Sequence, residues 1–189
     1  MTGVSRRGFV RGVAASAGVL ALGFDPVQRT WTSKASAQSI NIPNLDGALF
    51  TDPATRADYA DDFGHIIANT PVAVLQPGSV NDVVKMVQFC KQHNIKVAAR
   101  GQGHSTFGQS QVQGGVVIDM GTLADIETIG SSFVKVQGGM RWRDLLEELV
   151  PQGYHPPVLT GYVGLSIGGT LSMGGIGAAS FRHGPQVAN

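Results

Sequence analysis

Val72-Ala73-Val74-Leu75-Gln76-Pro77-Gly78-Ser79 is the stretch whose reading decides the fold. A short apolar run that meets Pro-Gly reads as a strand closed by a turn. Ser79 stands three residues before Asp82, the spacing of a capping box, and Val83, Met86, Val87 and Cys90 follow at helical spacing. Asn94 is the expected helix stop, and Ile95 to Ala99 returns to strand. The unit is strand-helix-strand, with a right-handed crossover expected if its strands run parallel. Further along, Val116-Val117-Ile118 and Phe133 to Val136 read as strands. Arg141 to Val150 carries Leu145, Leu146 and Leu149 and reads as a helix. The expected fold is mixed α+β, without an internal repeat.

Composition narrows the function classes. Glycine accounts for 26 of 189 residues, roughly twice the ordinary share, with no Gly-X-Y period that would make it collagenous. At 42% hydrophobic and 14% charged, the chain is too apolar for a disordered segment. Its one cysteine, Cys90, excludes an intrachain disulfide and reads as a small hydrophobe on the helix face. A net charge of +1, with no basic cluster beyond the N-terminus, gives no footing for nucleic acid.

The N-terminus reads as an address. Ser5-Arg6-Arg7-Gly8-Phe9-Val10 precedes an apolar stretch from Val13 to Phe24, and Ala35-Ser36-Ala37 offers a small-x-small cleavage pattern before Gln38. The paired arginines resemble the twin-arginine leader of bacterial export, which implies export machinery as a partner and a periplasmic or extracellular destination. The apolar stretch is well short of the ~20 residues a membrane span needs. Residues 1–37 hold Arg6, Arg7, Arg11, Arg29 and Lys34 against Asp25 alone, so residues 38–189 carry a formal charge of −3. The expected organisation is a leader over 1–37 followed by a remainder long enough for one sizeable core.

Two glycine-rich segments carry the chemistry. Arg100-Gly101-Gln102-Gly103-His104-Ser105-Thr106-Phe107-Gly108-Gln109 follows a strand but fits neither the dinucleotide fingerprint nor the P-loop. Gly101 and Gly103 would let backbone N–H groups approach an anion. A plain turn bearing a solvated imidazole fits these residues as well. The second segment, Gly161 to Gly177, has seven glycines and no charge. Such a stretch suits a buried backbone wrapped round a large ligand, with Ser166, Thr170 and Ser172 offering short hydroxyls. A role in packing alone fits it equally.

Four blocks in order carry a resemblance. They are Arg100 to Ser105 with Gln109, Gly138 to Trp142, Ser166 to Ser172, and Phe181-Arg182-His183-Gly184-Pro185-Gln186. From Asp61-Asp62-Phe63-Gly64 onward, the chain resembles FAD-linked oxidases of the vanillyl-alcohol-oxidase type, with the PCMH-type FAD-binding domain. It is most similar to cytokinin dehydrogenases and their bacterial relatives. The resemblance implies, after an N-terminal segment over 38–60, an α+β FAD-binding domain over 61–189, truncated at Asn189 before the substrate domain and built of a strand-helix-strand subdomain and a second mixed subdomain. It implies FAD attached covalently to His104, a neutral imidazole being a competent nucleophile. Ala99, Gly101, Gln102, Gly103, Ser105 and Gln109 match its first cofactor loop, and Gly161, Ser166, Ser172 and Ile176 match its second.

The implied activity is oxidation of a C–H bond next to an amine or alcohol in a small-molecule substrate. Electrons would pass to oxygen, a quinone or a protein. Relatives that act on sugar alcohols or aldonolactones share the first loop, and a non-catalytic flavin module is a third reading. Gly161 stands where cytokinin dehydrogenases carry a substrate-handling aspartate, so the catalytic base is unassigned. His65, His93 and His155 have no partners at metal-ligand spacing, which argues against zinc, and His183 reads as packing or orientation.

Overall fold

A computed structural model of the protein describes residues 22–25, 30–33 and 39–188. The leader expected over residues 1–37 lies outside them, apart from two short strands. The chain divides into two units, Met1–Ile42 and Pro43–Asn189. In the first, β1 (Leu22–Asp25), β2 (Thr30–Ser33) and β3 (Ser39–Asn41) form an antiparallel sheet in that order, with Phe24 opposite Trp31 and Trp31 opposite Ile40.

The second unit is built on a four-stranded sheet. Its strands are β4 (Ala48–Phe50), β5 (Ala73–Gln76), β6 (Val97–Arg100) and β7 (Val116–Asp119), ordered β4-β5-β7-β6. β4 runs antiparallel to β5, whereas β5 and β6 both run parallel to β7. The strand-helix-strand unit is present, but its two strands are separated by β7. Burial explains the placement: the apolar runs Ala73-Val74-Leu75 and Val116-Val117-Ile118 are almost wholly enclosed, as central parallel strands are. Each such Val or Leu gains roughly 1.5–3 kcal/mol from leaving water. β6 takes an edge, its residues alternating between exposed and half-buried.

Helix α1 (Pro53–Asp58) starts where Asp52 accepts the Thr55 N–H at 2.9 Å, with proline in its first turn. Helix α2 (Val80–Gln92) starts where the Ser79 hydroxyl accepts the Asp82 N–H at 3.3 Å. The Asp82 side chain does not return to the cap as a capping box would. It accepts N–H groups from Asp46, Gly47 and Gly78 at 2.9, 2.7 and 2.9 Å, tying the segment before β4 to the turn after β5. The buried face is Asp82, Met86, Phe89 and Cys90, while Val87 points to solvent, so the apolar face is rotated from the expected one. Asn94 ends the helix in the left-handed region, at φ 53°.

Strands β8 (Ile126–Ile129) and β9 (Val134–Val136) form a hairpin, followed by α3 (Trp142–Leu149), α4 (Ile167–Ser172) and α5 (Ser180–His183). Met140, Trp142, Leu145, Leu149 and Ile167 form a second apolar core beside the hairpin. Helix α4 lies inside the segment read as glycine-rich loop. Gly168 and Gly169 conceal it, because glycine costs about 1 kcal/mol in a helix. Tertiary bonds hold it instead. Trp142 Nε1–H donates to Thr170 Oγ1 at 2.8 Å, and the Ile167 and Gly168 N–H groups donate to the Met140 and Gly138 carbonyls at 2.8 Å each. Among the described residues, no helix is long and apolar enough to cross a membrane.

Candidate functional site

The parallel strands β6 and β7 finish side by side, Arg100 opposite Asp119. Loop 101–110 and the 3-10 turn at Met120–Thr122 therefore leave the sheet together, where open parallel sheets commonly seat ligands. Asp119 caps that turn through the Gly121 N–H at 2.9 Å and also accepts the Tyr59 hydroxyl.

A short turn from outside the loop holds it in place. The Phe63 and Gly64 N–H groups donate to the Gly103 and Ser105 carbonyls at 2.9 and 3.1 Å. The buried Asp62 carboxylate accepts the Ser105 hydroxyl at 2.7 Å, the Gly108 N–H at 2.8 Å and the Gly64 N–H at 3.1 Å. Burial alone would raise the Asp62 pKa. The Ser105 hydroxyl and the Gly108 and Gly64 amides outweigh burial and hold it below the usual carboxylate value. Gly103, at φ +64°, lies under the Arg100 guanidinium, which donates to the Asp61 carbonyl at 2.6 Å. A Cβ at Gly103 would run into that guanidinium.

His104 projects from the crest of this loop. The Phe63 ring stacks on its imidazole with centroids 4.0 Å apart and planes 20° apart. Tyr162 stacks on it too, at 5.6 Å and 30°. Among the described residues, no protein group hydrogen-bonds either imidazole nitrogen.

The two glycine-rich segments meet. Gly101 abuts the Ser166 hydroxyl so closely that a Cβ there would collide with it, and a Cβ on Gly168 would stand 2.8 Å from the Gly138 carbonyl. Between the segments lies a cavity of about 740 Å³. Ala99, Gly101, Gln102, Gly103, His104, Ser105 and Gln109 line it from the first segment, and Ser166, Ser172 and Ile176 from the second. Gly161 does not line it.

The hydroxyls divide unequally. Ser105 gives its proton to Asp62, Thr170 is used by Trp142 and the Ile167 carbonyl, and Ser172 donates to the Gly168 carbonyl at 2.7 Å. These three hydroxyl protons hold the protein together. Ser166 alone of the four keeps its hydroxyl without a protein partner among the described residues. The amides of Gln102, Gly103, His104 and Ser105 likewise find no acceptor among them.

Among the described residues, no Asp, Glu, Lys or Arg side chain lines the cavity. Neutral N–H groups at its wall can solvate an anion without a bound counter-ion, and no carboxylate repels it. The rest of the wall mixes bare glycine backbone and apolar side chains with short hydroxyls and the Gln102 and Gln109 amides, which accommodates a flat ring system with polar edges. The residues present therefore fit FAD.

A family model described as the FAD binding domain matches residues 71–189. The chain belongs to the FAD-binding flavoproteins of the vanillyl-alcohol-oxidase (PCMH) type. It is 37% identical over 162 residues to cytokinin dehydrogenase 2 of Arabidopsis thaliana, covering 84% of this chain and 32% of that protein. An oxidoreductase from the fasciation locus of Rhodococcoides fascians is 37% identical over 145 residues, covering 77% of this chain and 33% of that one. The chain thus spans about a third of the length of the curated relatives it matches. The fold also matches 6-hydroxy-D-nicotine oxidase of Arthrobacter nicotinovorans, with a TM-score of 0.70 at 21% identity over 79% of this chain and 34% of that one.

Sequence reasoning missed several members of this site. Asp62 and Phe63 precede the family match, yet Asp62-Phe63-Gly64 carries a turn signal, an Asp two residues before a Gly. Tyr162 gave no sign, because nothing local places it against His104. His65 pairs with a single carboxylate, its Nδ1 lying 2.5 Å from Asp61, and among the described residues no three His, Cys, Asp or Glu side chains come together as a metal ion would need. The second glycine segment is also less enclosed than expected, with Met173 and Ile176 about three-quarters exposed at 74% and 75%.

Proposed function

We propose that the chain is the FAD-binding portion of an exported oxidoreductase that oxidises a C–H bond next to an amine or alcohol. The observation that carries the cofactor reading is the uncharged cavity where both glycine-rich segments meet. When bound, FAD supplies the two-electron acceptor for the hydride. The amides of Gln102 to Ser105 and the Ser166 hydroxyl would hold its polar part. Gly101, Gly103 and Gly168 would let backbone approach it, and Gln109 and Ile176 would line its flanks. His104, with both nitrogens free of hydrogen-bond partners among the described residues, is proposed as the point of covalent attachment. Residues 1–37 are proposed as a twin-arginine leader, 38–60 as a connecting segment and 61–189 as the FAD-binding domain, with oxygen, a quinone or a protein taking the electrons.

The test is to isolate the full-length protein, precipitate it with acid and measure flavin in the pellet. Flavin that stays with the wild type and leaves in His104→Ala supports attachment at His104. Flavin retained by His104→Ala overturns it.

Gly161 favours a second reading. Where the cytokinin-dehydrogenase pattern has an aspartate, this chain has no side chain to accept a proton or orient an amine. Flavin binding without turnover is therefore a live alternative. A panel of amines, alcohols and sugar alcohols with dye reduction as readout separates the two. Reduction by any of them supports the enzyme, and a fully silent panel on flavin-loaded protein supports the module.

A further inference from the structure

We propose that Phe63 is a positioning residue for His104, holding the imidazole in the one orientation from which its nitrogen can join the flavin. The inference rests on attachment at His104 and goes beyond it by assigning what aims the ring.

A histidine that acts as a nucleophile is ordinarily oriented by a hydrogen bond to its second nitrogen. His104 has none among the described residues. It is also exposed, so enclosure by neighbours does not fix it. The ring contacts that remain are Phe63 at 4.0 Å and 20°, and Tyr162 at 5.6 Å and 30°. The Phe63 contact is the tighter and more nearly parallel.

Phe63 is itself 62% exposed, so burial of its own ring is not what locates it. Backbone does that work. Its N–H donates to the Gly103 carbonyl, on the residue immediately before His104, and the next N–H reaches the Ser105 carbonyl on the residue immediately after. Asp62, one residue earlier, grips Ser105 and Gly108. Gly64 lies against the Thr106 backbone with no room for a Cβ. The turn is thus fastened on both sides of His104, which brings the Phe63 Cα–Cβ bond beside the imidazole and within reach of the stack. Stacking restrains rotation of the imidazole about its Cβ–Cγ bond while leaving both edge nitrogens clear.

The step that this arrangement would serve forms one bond from an imidazole nitrogen to the carbon of the flavin 8α-methyl group. The imidazole N–H proton and one 8α hydrogen would be lost as protons, and the two electrons released would reduce dioxygen, which with those two protons would become hydrogen peroxide. Phe63 takes no part in these transfers.

The experiment follows attachment after FAD is added to full-length apoprotein, in wild type, Phe63→Ala, Phe63→Leu and Phe63→Tyr. Acid-stable flavin gives the attachment rate, and quenching of free FAD fluorescence gives the affinity before attachment. Phe63→Ala and Phe63→Leu should bind FAD with unchanged affinity but attach it roughly three- to tenfold more slowly, the range an aromatic pair is worth. Phe63→Tyr, which keeps the stack, should attach at the wild-type rate. Phe63→Leu keeps apolar bulk and guards against a folding defect in the alanine variant. Wild-type rates in both Phe63→Ala and Phe63→Leu overturn the proposal alone. No acid-stable flavin in the wild type overturns attachment at His104 and this proposal with it.

Discussion

The Asp62 carboxylate accepts the Ser105 hydroxyl at 2.7 Å across a separation of 43 residues. That bond joins the turn carrying Phe63 to the loop carrying His104. The same carboxylate holds the Gly64 and Gly108 amides, so one buried acid organises both segments. Asp62→Ala would strand three donors around a void. A loss of about 3 kcal/mol is expected, the cost of hydrogen bonds to a charged group, read from urea unfolding. FAD affinity should fall as well, because the loop amides lose their common arrangement.

Stability should decline in acid for a specific reason. Asp62 and Asp82 are buried and keep depressed pKa values, each because amide or hydroxyl donors outweigh burial. A carboxylate that ionises more readily in the folded chain than in the unfolded chain, where it titrates near ~3.9, stabilises fully above that value. The contribution is lost as pH falls through the lower folded value, since the unfolded chain takes up protons first. Unfolding free energy should therefore hold from neutrality to about pH 4 and drop below it. Asp82→Asn should be weaker at pH 7 and show a flatter acid limb. An equally steep limb in that variant would count against Asp82.

Glycines in the two segments should differ sharply in tolerance. A Cβ on Gly161 meets nothing within 4 Å, whereas one on Gly101 collides with the Ser166 hydroxyl. Gly161→Ala and Gly161→Asp should stay within about 0.5 kcal/mol of the parent, as open surface substitutions do. Gly101→Ala should displace Ser166 and weaken FAD binding. Thermal unfolding with a flavin titration on each variant checks both halves.

The bond from Trp142 to Thr170 is buried and links α3 to α4. Trp142→Phe keeps most of the apolar volume but removes the donor. A loss of about 1–3 kcal/mol is expected from the missing bond, which leaves the Thr170 oxygen donating to the Ile167 carbonyl but accepting from nothing. Urea unfolding measures it, and Thr170→Val combined with Trp142→Phe should recover part of the loss, since no buried oxygen is then left facing an apolar ring in place of its donor.

Local pattern was enough for much of the framework. Val72 to Ala99 showed its strand, helix and strand because apolar spacing, the Pro77-Gly78 turn and the Ser79 cap all act within a few residues of one another. The loop around His104 announced itself through Gly101 and Gly103, whose lack of a side chain is a local property. The apolar face of α2 was misplaced onto Val87 because spacing alone does not say which side the sheet occupies, and Phe89 took the buried position. Helix α4 was hidden by its glycines and exists through bonds from Trp142, Met140 and Gly138.

Only the folded chain decided which side chains are free. Ser105, Thr170 and Ser172 look like Ser166 in the sequence, yet Ser105 gives its hydroxyl proton to Asp62, Thr170 and Ser172 give theirs to carbonyls of their own helix, and Ser166 alone of the four keeps its hydroxyl unbonded among the described residues. The insertion of β7 between β5 and β6, the grip of Asp62 on Ser105 and the rings stacked on His104 depend on residues dozens of positions apart. A residue type and its near neighbours define what chemistry a side chain is capable of. Which hydrogen bonds it has already made, and so whether that chemistry is available, is set by contacts that form when the chain closes on itself.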